Sequence, residues 1–175
     1  MEGTLYFAYG SNIHLDQMAH RCPAAQVVGP VVLENYKLLF RGNIRGNGVA
    51  TIKPHKGRKV HGLLWKITPE CEKSLDVYEG YPRLYGKQTV LVRDSSGQEI
   101  PVMAYVMTDL CREPAMPSIY YYSGIERGYR QNGLPVAALN RALDHAAREV
   151  DAAAPRINAQ AVNPVKPPRR KSHER

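Results

Sequence analysis

Tyr6-Phe7-Ala8-Tyr9-Gly10-Ser11-Asn12 is the stretch from which the fold of this chain is most directly predicted. Its first four residues predict a short buried strand that stops at Gly10, because glycine permits sharp turns and lets a ligand approach the main chain closely. Ser11 and Asn12 then present small polar side chains and backbone N–H groups beyond the strand end. Such a turn can hold an oxyanion or a carboxylate, although the same pattern is more often an ordinary strand and turn.

Outside this stretch, most predicted strands come before the last helices, and one helix is inserted among the strands. The pattern predicts strands at 26–41, 49–53 and 60–67, a hairpin formed by 85–93 and 99–107, and helices at 13–21, 68–78, 120–130 and 135–150. The glycine-rich segment 41–48 lacks the ending of a phosphate-binding loop and predicts a hairpin connection, with anion binding as the alternative. This order is not a regular βαβ alternation. We therefore expect an α+β fold, with a strongly bent sheet or a small barrel and helices packed around it.

The length and charge of the chain predict one domain and a basic tail. The 175 residues, 43% of them hydrophobic and 23% charged, suit a globular domain over residues 1–150. Residues 151–175 are rich in Pro and Ala and contribute +4 of the net charge of +8, so we expect a disordered tail there. The remaining body is only mildly basic, and no specific nucleic-acid partner is predicted.

Other composition signals argue against a metal, a membrane or secretion. The three cysteines lie far apart, without the spacing of a zinc site or a disulfide framework, and the six histidines are scattered. No run approaches the roughly 18 apolar residues of a membrane span, and the first residues do not resemble a signal peptide. We expect a cytoplasmic protein that uses no metal and no organic cofactor. The sequence leaves its oligomeric state open.

Glu79 is the candidate acid–base residue. It lies where the helix predicted at 68–78 ends, just before Gly80, with Tyr78, Tyr81 and Tyr85 close by in sequence. Burial among the tyrosines and the negative end of the helix dipole would both raise its pKa, and a carboxyl group that titrates near neutral pH can act as a general base.

Two other interpretations of this segment stay open. Glu79 can instead be a solvated residue at a frayed helix end. Asp76 lies almost one helical turn earlier and could share a face with Glu79, so a carboxylate pair is conceivable.

Four patches in order resemble the gamma-glutamylcyclotransferase family, which includes AIG2-like proteins. They are the stretch from Tyr6 to Asn12, the segment Leu75-Asp76 followed by Glu79-Gly80, Tyr85, and Gln131-Asn132-Gly133-Leu134-Pro135 with Tyr121 upstream of it. Together they extend over residues 4–145. The cluster Tyr120-Tyr121-Tyr122 is bulkier and less basic than is usual for the family.

The resemblance implies an enzyme, a transferase or lyase, that cleaves a gamma-glutamyl amide. The α-amine of the substrate attacks its own γ-carbonyl and releases 5-oxoproline with an amine or an amino acid. Glu79 would be the general acid–base. The substrate-binding set implied is Tyr6, Phe7, Ala8, Tyr9, Gly10, Ser11, Asn12, Tyr85 and Tyr121. The alternatives are a non-catalytic binding or regulatory protein of the same fold, and a nucleic-acid binder that uses the 41–48 loop and the tail.

Overall fold

The computed structural model describes residues 3–154. Its strands are β1 (Thr4–Ala8), β2 (Gln26–Gly42), β3 (Gly48–Ile67), β4 (Tyr85–Arg93) and β5 (Glu99–Met107). Its helices are α1 (Leu15–Arg21), α2 (Pro69–Glu79), α3 (Ile119–Gln131) and α4 (Val136–Ala153), and a short 3₁₀ turn, Ser11–Ile13, precedes α1. The bounds of the predicted hairpin at 85–93 and 99–107 are confirmed.

The five strands form a closed barrel in the order β1-β3-β2-β4-β5, which confirms the α+β prediction and the small barrel. Neighbouring strands are antiparallel except at the closure, where β1 and β5 run parallel. The closure has a single register pair, Tyr6 with Met103, whereas β2 and β3 pair along nearly their whole lengths. Barrel strands place alternate side chains inside, and these form the core with the inner faces of the helices.

The prediction of two separate strands at 49–53 and 60–67 is wrong, because β3 is continuous from Gly48 to Ile67. The gap expected between those strands contains Pro54 and Gly57, and both lie at a register shift opposite Asn35 in β2. Asn35 adopts a positive φ of 59°, and its side-chain oxygen accepts a hydrogen bond of 3.0 Å from the Gly57 N–H. A bulge of this kind accommodates residues that a regular ladder rejects.

The bounds of α2 follow from local chemistry at its two ends. The Thr68 hydroxyl accepts a hydrogen bond of 3.1 Å from the Cys71 N–H, and Pro69 occupies the first helical position. At the other end Gly80 has a φ of 66°, the left-handed conformation that glycine adopts without steric cost. The stop at Gly80 is therefore confirmed, and it fixes where Glu79, the last helical residue, leaves the helix.

The segment Gln131-Asn132-Gly133 at the end of α3 is hydrogen-bonded to the 3₁₀ turn and to the start of α1. The Asn132 side chain donates to the carbonyl of Ile13 at 3.1 Å, and the Gln131 side chain accepts from the Leu15 N–H at 3.0 Å. Gly128 allows close contact between α3 and the turn, since a Cβ there would lie 2.8 Å from the His14 nitrogen. The start of α1 is thus held by α3.

The last helix continues to Ala153, three residues beyond its predicted end and into the segment expected to be a tail. The rest of that predicted tail, 155–175, lies outside the described residues. Among residues 3–154, no helix is both long enough and apolar enough to pass through a lipid bilayer.

We expect Gly128→Ala and Gly124→Ala to have opposite effects on the free energy of unfolding. Alanine normally stabilises a helix by about 1 kcal/mol relative to glycine. At Gly124 the new methyl group meets only the end of the flexible Gln17 side chain at 3.0 Å, so this variant should gain stability. At Gly128 it meets backbone, and overpacking should cost roughly 1–3 kcal/mol. Urea unfolding measures both, and equal effects would contradict this packing of α3 on the turn.

Candidate active site

A cavity of about 210 Å³ opens where β1 ends and the 3₁₀ turn begins. Most of its lining is aromatic or small. The lining residues are Tyr6, Tyr9, Gly10, Ser11, Asn12, Asn43, Val49, Ala50, Tyr78, Glu79, Leu84, Tyr85, Tyr105 and Tyr121. Eight of the ten residues proposed from the sequence therefore line one cavity.

Phe7 and Ala8, the other two, are not among the lining residues. Both are fully buried in the hydrophobic core, and the Phe7 ring lies against Gly62 of β3. They hold β1 in the barrel, and we leave them out of the proposed binding set.

Asn12 links the polar groups of the cavity wall. Its side-chain oxygen accepts a hydrogen bond of 2.6 Å from Arg21, and its amide nitrogen donates to the Tyr6 hydroxyl at 3.0 Å and to Glu79 Oε1 at 3.2 Å. Arginine can only donate, so it forces the oxygen of Asn12 toward itself and the NH₂ group toward Glu79 and Tyr6. The backbone of Asn12 is held too, because Trp65 Nε1 donates to its carbonyl at 3.0 Å.

Tyr6 is left with a proton to donate. Its hydroxyl oxygen accepts from Asn12, so its own O–H is free to serve a ligand in the cavity. Burial and the nearby Glu79 carboxyl raise the pKa of Tyr6 well above its usual value. The hydroxyl therefore stays protonated and acts as a neutral donor.

Glu79 projects from the last residue of α2 toward Asn12 and the cavity. Burial raises the pKa of its carboxyl to about 7, against the lowering effects of Arg21 and of the hydrogen bond from Asn12. The predicted direction is confirmed. A carboxyl group with this pKa is half ionised at neutral pH, the condition in which one group can accept and then return a proton.

The surroundings of Glu79 differ in detail from those predicted. Tyr85 is buried as expected, but Tyr78 and Tyr81 are 46% and 41% exposed. Asp76 does not form a pair with Glu79. It accepts hydrogen bonds from Lys87 Nζ at 2.9 Å and from the Tyr105 hydroxyl at 2.5 Å, so it is ion-paired with Lys87, and it does not line the cavity.

Tyr85 and Tyr121 are anchored to the same residue of β3. The Tyr85 hydroxyl donates to the carbonyl of Ala50 at 2.7 Å, and the Tyr121 hydroxyl accepts from the Ala50 N–H at 3.0 Å. Gly10 lies beside them, since a Cβ there would come within 3.2 Å of the Ala50 side chain and 3.4 Å of the Tyr121 hydroxyl. A larger residue at position 10 would therefore crowd two other lining residues, Ala50 and Tyr121.

Arg21 is the important residue that the sequence analysis missed. Besides Asn12 it contacts Ser11 Oγ at 3.1 Å and Gln17 Oε1 at 3.1 Å, and its guanidinium lies 3.8 Å from the centre of the Tyr78 ring. Its position in the last turn of a seven-residue helix, next to the carbonyl end of the dipole, was visible in the sequence. That it faces Asn12 depends on the tertiary fold.

A metal site is not formed by the described part of the chain. Nowhere within residues 3–154 do three or more histidine, cysteine, aspartate or glutamate side chains converge as metal ligands would.

Comparison with known protein sequences gives consistent matches. The family model described as "Gamma-glutamyl cyclotransferase, AIG2-like" matches residues 6–124. The human protein named "Gamma-glutamylcyclotransferase" is 37% identical over 143 residues, which cover 77% of this chain and 74% of that protein. The Bos taurus protein of the same name is 36% identical over 143 residues, with the same coverage.

Solved structures match the barrel as well. A structure described as "Gamma-glutamyl cyclotransferase" superposes with a TM-score of 0.74 at 33% identity, covering 81% of this chain and 86% of the other. YkqA from Bacillus subtilis superposes with a TM-score of 0.70 over 84% of this chain and 55% of its own. At 23% identity, that second likeness concerns the fold alone.

Glu79→Gln should change how stability depends on pH. Because the pKa of about 7 in the folded protein lies above the ordinary value of 4.5, the native state binds this proton more tightly than the unfolded chain. The wild-type free energy of unfolding therefore falls as pH rises from about 4.5 to 7, and glutamine removes this loss. The variant should gain up to roughly 3 kcal/mol relative to wild type between pH 4.5 and 8, measured by urea unfolding.

The control is Glu70→Gln, an exposed residue in the first turn of the same helix. A stability difference between Glu79→Gln and wild type that stays constant with pH would contradict the buried position of the Glu79 carboxyl.

Proposed function

Because the chain belongs to the gamma-glutamyl cyclotransferase, AIG2-like family and is an enzyme of that kind, we propose that it cleaves a gamma-glutamyl amide by intramolecular aminolysis, with Glu79 as general acid–base. The products are 5-oxoproline and a free amine or amino acid. The observation that carries the proposal is a single carboxyl group, with a pKa of about 7, facing a cavity of about 210 Å³ through a polar network.

The reaction needs a proton carrier and a shaped site, and the substrate supplies its own nucleophile. Ionised Glu79 takes a proton from the α-ammonium group of the glutamyl moiety. The freed amine attacks the γ-carbonyl carbon, which closes the five-membered ring and forms a tetrahedral oxyanion. Glu79 then returns the proton to the amide nitrogen, and the old C–N bond breaks as the carbonyl re-forms. The second proton of the ring nitrogen passes by way of Glu79 to the departing amine, which leaves as an ammonium ion. Proton transfer by a positioned side chain typically contributes 10²–10⁴-fold in rate.

Donors on the first strand and turn are suited to the negative charges of the substrate. The Tyr6 hydroxyl carries a free proton, and the backbone N–H groups of Ser11 and Asn12 lie in the first turn of a helix, where they have no partner within the helix. We assign these groups to the oxyanion and the α-carboxylate. Loss of one oxyanion donor typically costs about 10²–10³ in rate.

The walls of the cavity are suited to holding the glutamyl chain in a curled form. Tyr9 and Tyr85 are buried and Tyr121 is partly buried, and the hydroxyl of each is hydrogen-bonded to the backbone, so their rings are fixed before a ligand arrives. Ring closure requires that the amine meet the carbonyl, and a favourable intramolecular geometry is worth up to roughly 7–11 kcal/mol of the barrier. Rigid walls supply that geometry.

Glu79→Gln should lower kcat for a gamma-glutamyl dipeptide at least 10²–10⁴-fold, because glutamine cannot accept the α-ammonium proton. Incubation of the purified protein with gamma-glutamyl dipeptides and gamma-glutamyl amines, followed by mass spectrometry of 5-oxoproline, measures this. Glu70→Gln is the matched control on the same helix and should keep wild-type turnover.

Asp76→Asn tests whether Asp76, rather than Glu79, is the catalytic base. Asp76 does not line the cavity and is bound to Lys87 and Tyr105, so this variant should remain active with a modest loss of stability. Full activity in Glu79→Gln, or inactivity of Asp76→Asn in a folded protein, would contradict the assignment of the base.

Arg21→Gln should move the rising limb of kcat/KM against pH to higher pH. The wild-type limb reports the ionisation of Glu79, with a midpoint near 7, and the positive charge of Arg21 lowers that pKa. Arg21→Lys keeps the positive charge but loses the paired hydrogen bonds to Ser11 and Asn12. The midpoint of its pH profile should therefore stay nearer that of wild type, while kcat falls. Unchanged midpoints in both variants would exclude coupling between Arg21 and Glu79.

A further inference from the structure

A second cavity of about 380 Å³ adjoins the first. The two share Ser11, Tyr78 and Tyr121 in their walls, so they lie side by side. The remaining walls of the second cavity come from α1 and from the first turn of α3. They are Asp16, Gln17, His20, Arg21 and Tyr120.

We propose that this second cavity holds the leaving half of the gamma-glutamyl substrate, and that Tyr120 makes it favour a leaving half that carries an aromatic ring. The proposal rests on the proposed function, because it concerns the part of the substrate that departs when 5-oxoproline forms.

The sizes of the two cavities support a substrate that extends across both. The first cavity, at about 210 Å³, falls below the roughly 300–1,000 Å³ typical of small-molecule sites, and the second reaches that range. The scissile nitrogen must stay within reach of Glu79 while the rest of the leaving group lies elsewhere. Tyr78 is adjacent to Glu79 in sequence and lines both cavities, so the leaving group passes directly from one to the other.

The three consecutive tyrosines of α3 serve different surroundings. Successive residues of a helix point about 100° apart. The Tyr121 side chain accordingly enters the wall of both cavities, whereas the Tyr122 hydroxyl donates to the Asn140 side chain of α4. Tyr120 lines the second cavity but not the first, and its side chain is 84% exposed. Its ring is an apolar surface beside a catalytic cavity and takes no part in the core.

Tyr78 and Tyr120 together give the second cavity two aromatic side chains, and Tyr78 is itself 46% exposed. Aromatic rings gain from stacked or edge-to-face contact beyond the area they bury. A phenyl or phenol ring on the leaving half can make such contacts, and a methyl group cannot. Tyr120, the one residue of 120–122 that neither lines the first cavity nor contacts α4, is given a role by this proposal.

The charges of the cavity suit an amino acid as the leaving half. Arg21 uses three N–H groups on Ser11, Asn12 and Gln17, and a guanidinium carries five, so two remain for a carboxylate. Asp16 lies at the opposite end of α1 and accepts a hydrogen bond from Gln131 at 3.4 Å, while His20 Nδ1 contacts the Asp16 carbonyl at 2.8 Å.

The test compares gamma-glutamyl-phenylalanine with gamma-glutamyl-alanine, two substrates that share the carboxylate and differ in the ring. We expect kcat/KM for 5-oxoproline release to be higher for the phenylalanine substrate. Tyr120→Ala should lower the ratio of the two kcat/KM values about two- to tenfold, and Tyr120→Phe should retain it. Tyr120 is largely exposed, so neither change threatens the fold.

Ile119→Ala is the matched control, since Ile119 is 87% exposed at the preceding position and lines neither cavity. This variant should leave the ratio unchanged. A preference for gamma-glutamyl-alanine, a ratio insensitive to Tyr120→Ala, or an equal effect of Ile119→Ala would each overturn the inference and leave the proposed function standing. Release of 5-oxoproline from neither substrate, nor from any other gamma-glutamyl compound, would overturn both.

Discussion

The hydrogen bond from Arg21 to the side-chain oxygen of Asn12 is the interaction on which the whole site depends. It removes the freedom of the amide to flip, and every other polar contact follows from the orientation that remains. The NH₂ group of Asn12 must then face Tyr6 and Glu79. The Tyr6 hydroxyl accepts one hydrogen bond from it and keeps its own proton for a ligand, and the Glu79 carboxyl receives the other. A partly desolvated carboxyl group without such a donor would be protonated still more readily at neutral pH.

Residues of β3, of α3 and at the end of α2 hold the segment around this hydrogen bond in place. Trp65 of β3 holds the Asn12 carbonyl inside the barrel, Asn132 at the end of α3 holds the Ile13 carbonyl outside it, and Gly80 ends α2 where Glu79 can reach inward. Each support is a local feature with a clear physical cause. Their combination turns the short segment after β1 into a rigid wall instead of a mobile loop, and rigid walls are what a ring-closing reaction requires.

Much of this arrangement could be predicted from the sequence, because the decisive signals are local. The cap at Thr68 and the glycine at 80 fixed the ends of α2, and the turn at 94–97 fixed the hairpin. The ordered patches gave the family, which the comparisons confirm. Features that depend on tertiary neighbours were not predicted. The break expected near Pro54 is absorbed by a bulge opposite Asn35, and the partner of Arg21 is set by the angle between α1 and the turn.

The sequence motif alone also does not show which of its residues line the cavity and which pack in the core. Phe7 and Ala8 belong to the same patch as Tyr6 and Tyr9, yet both are fully buried in the core and neither lines the cavity. Conversely, the sequence left open a carboxylate pair of Asp76 and Glu79, whereas the fold binds Asp76 to Lys87 of β4 and Tyr105 of β5. Only the folded chain shows which of two neighbouring acids is neutralised.

The closure of the barrel between β1 and β5 has a consequence for how the protein fluctuates. This seam rests on a single parallel register pair, and one of its two residues, Tyr6, is also a wall of the cavity. Sparse ladders open first in local unfolding. A ligand that contacts both Tyr6 of β1 and Tyr105 of β5, which line the cavity, bridges the seam, so occupancy of the cavity and slow amide exchange along β1 and β5 are linked.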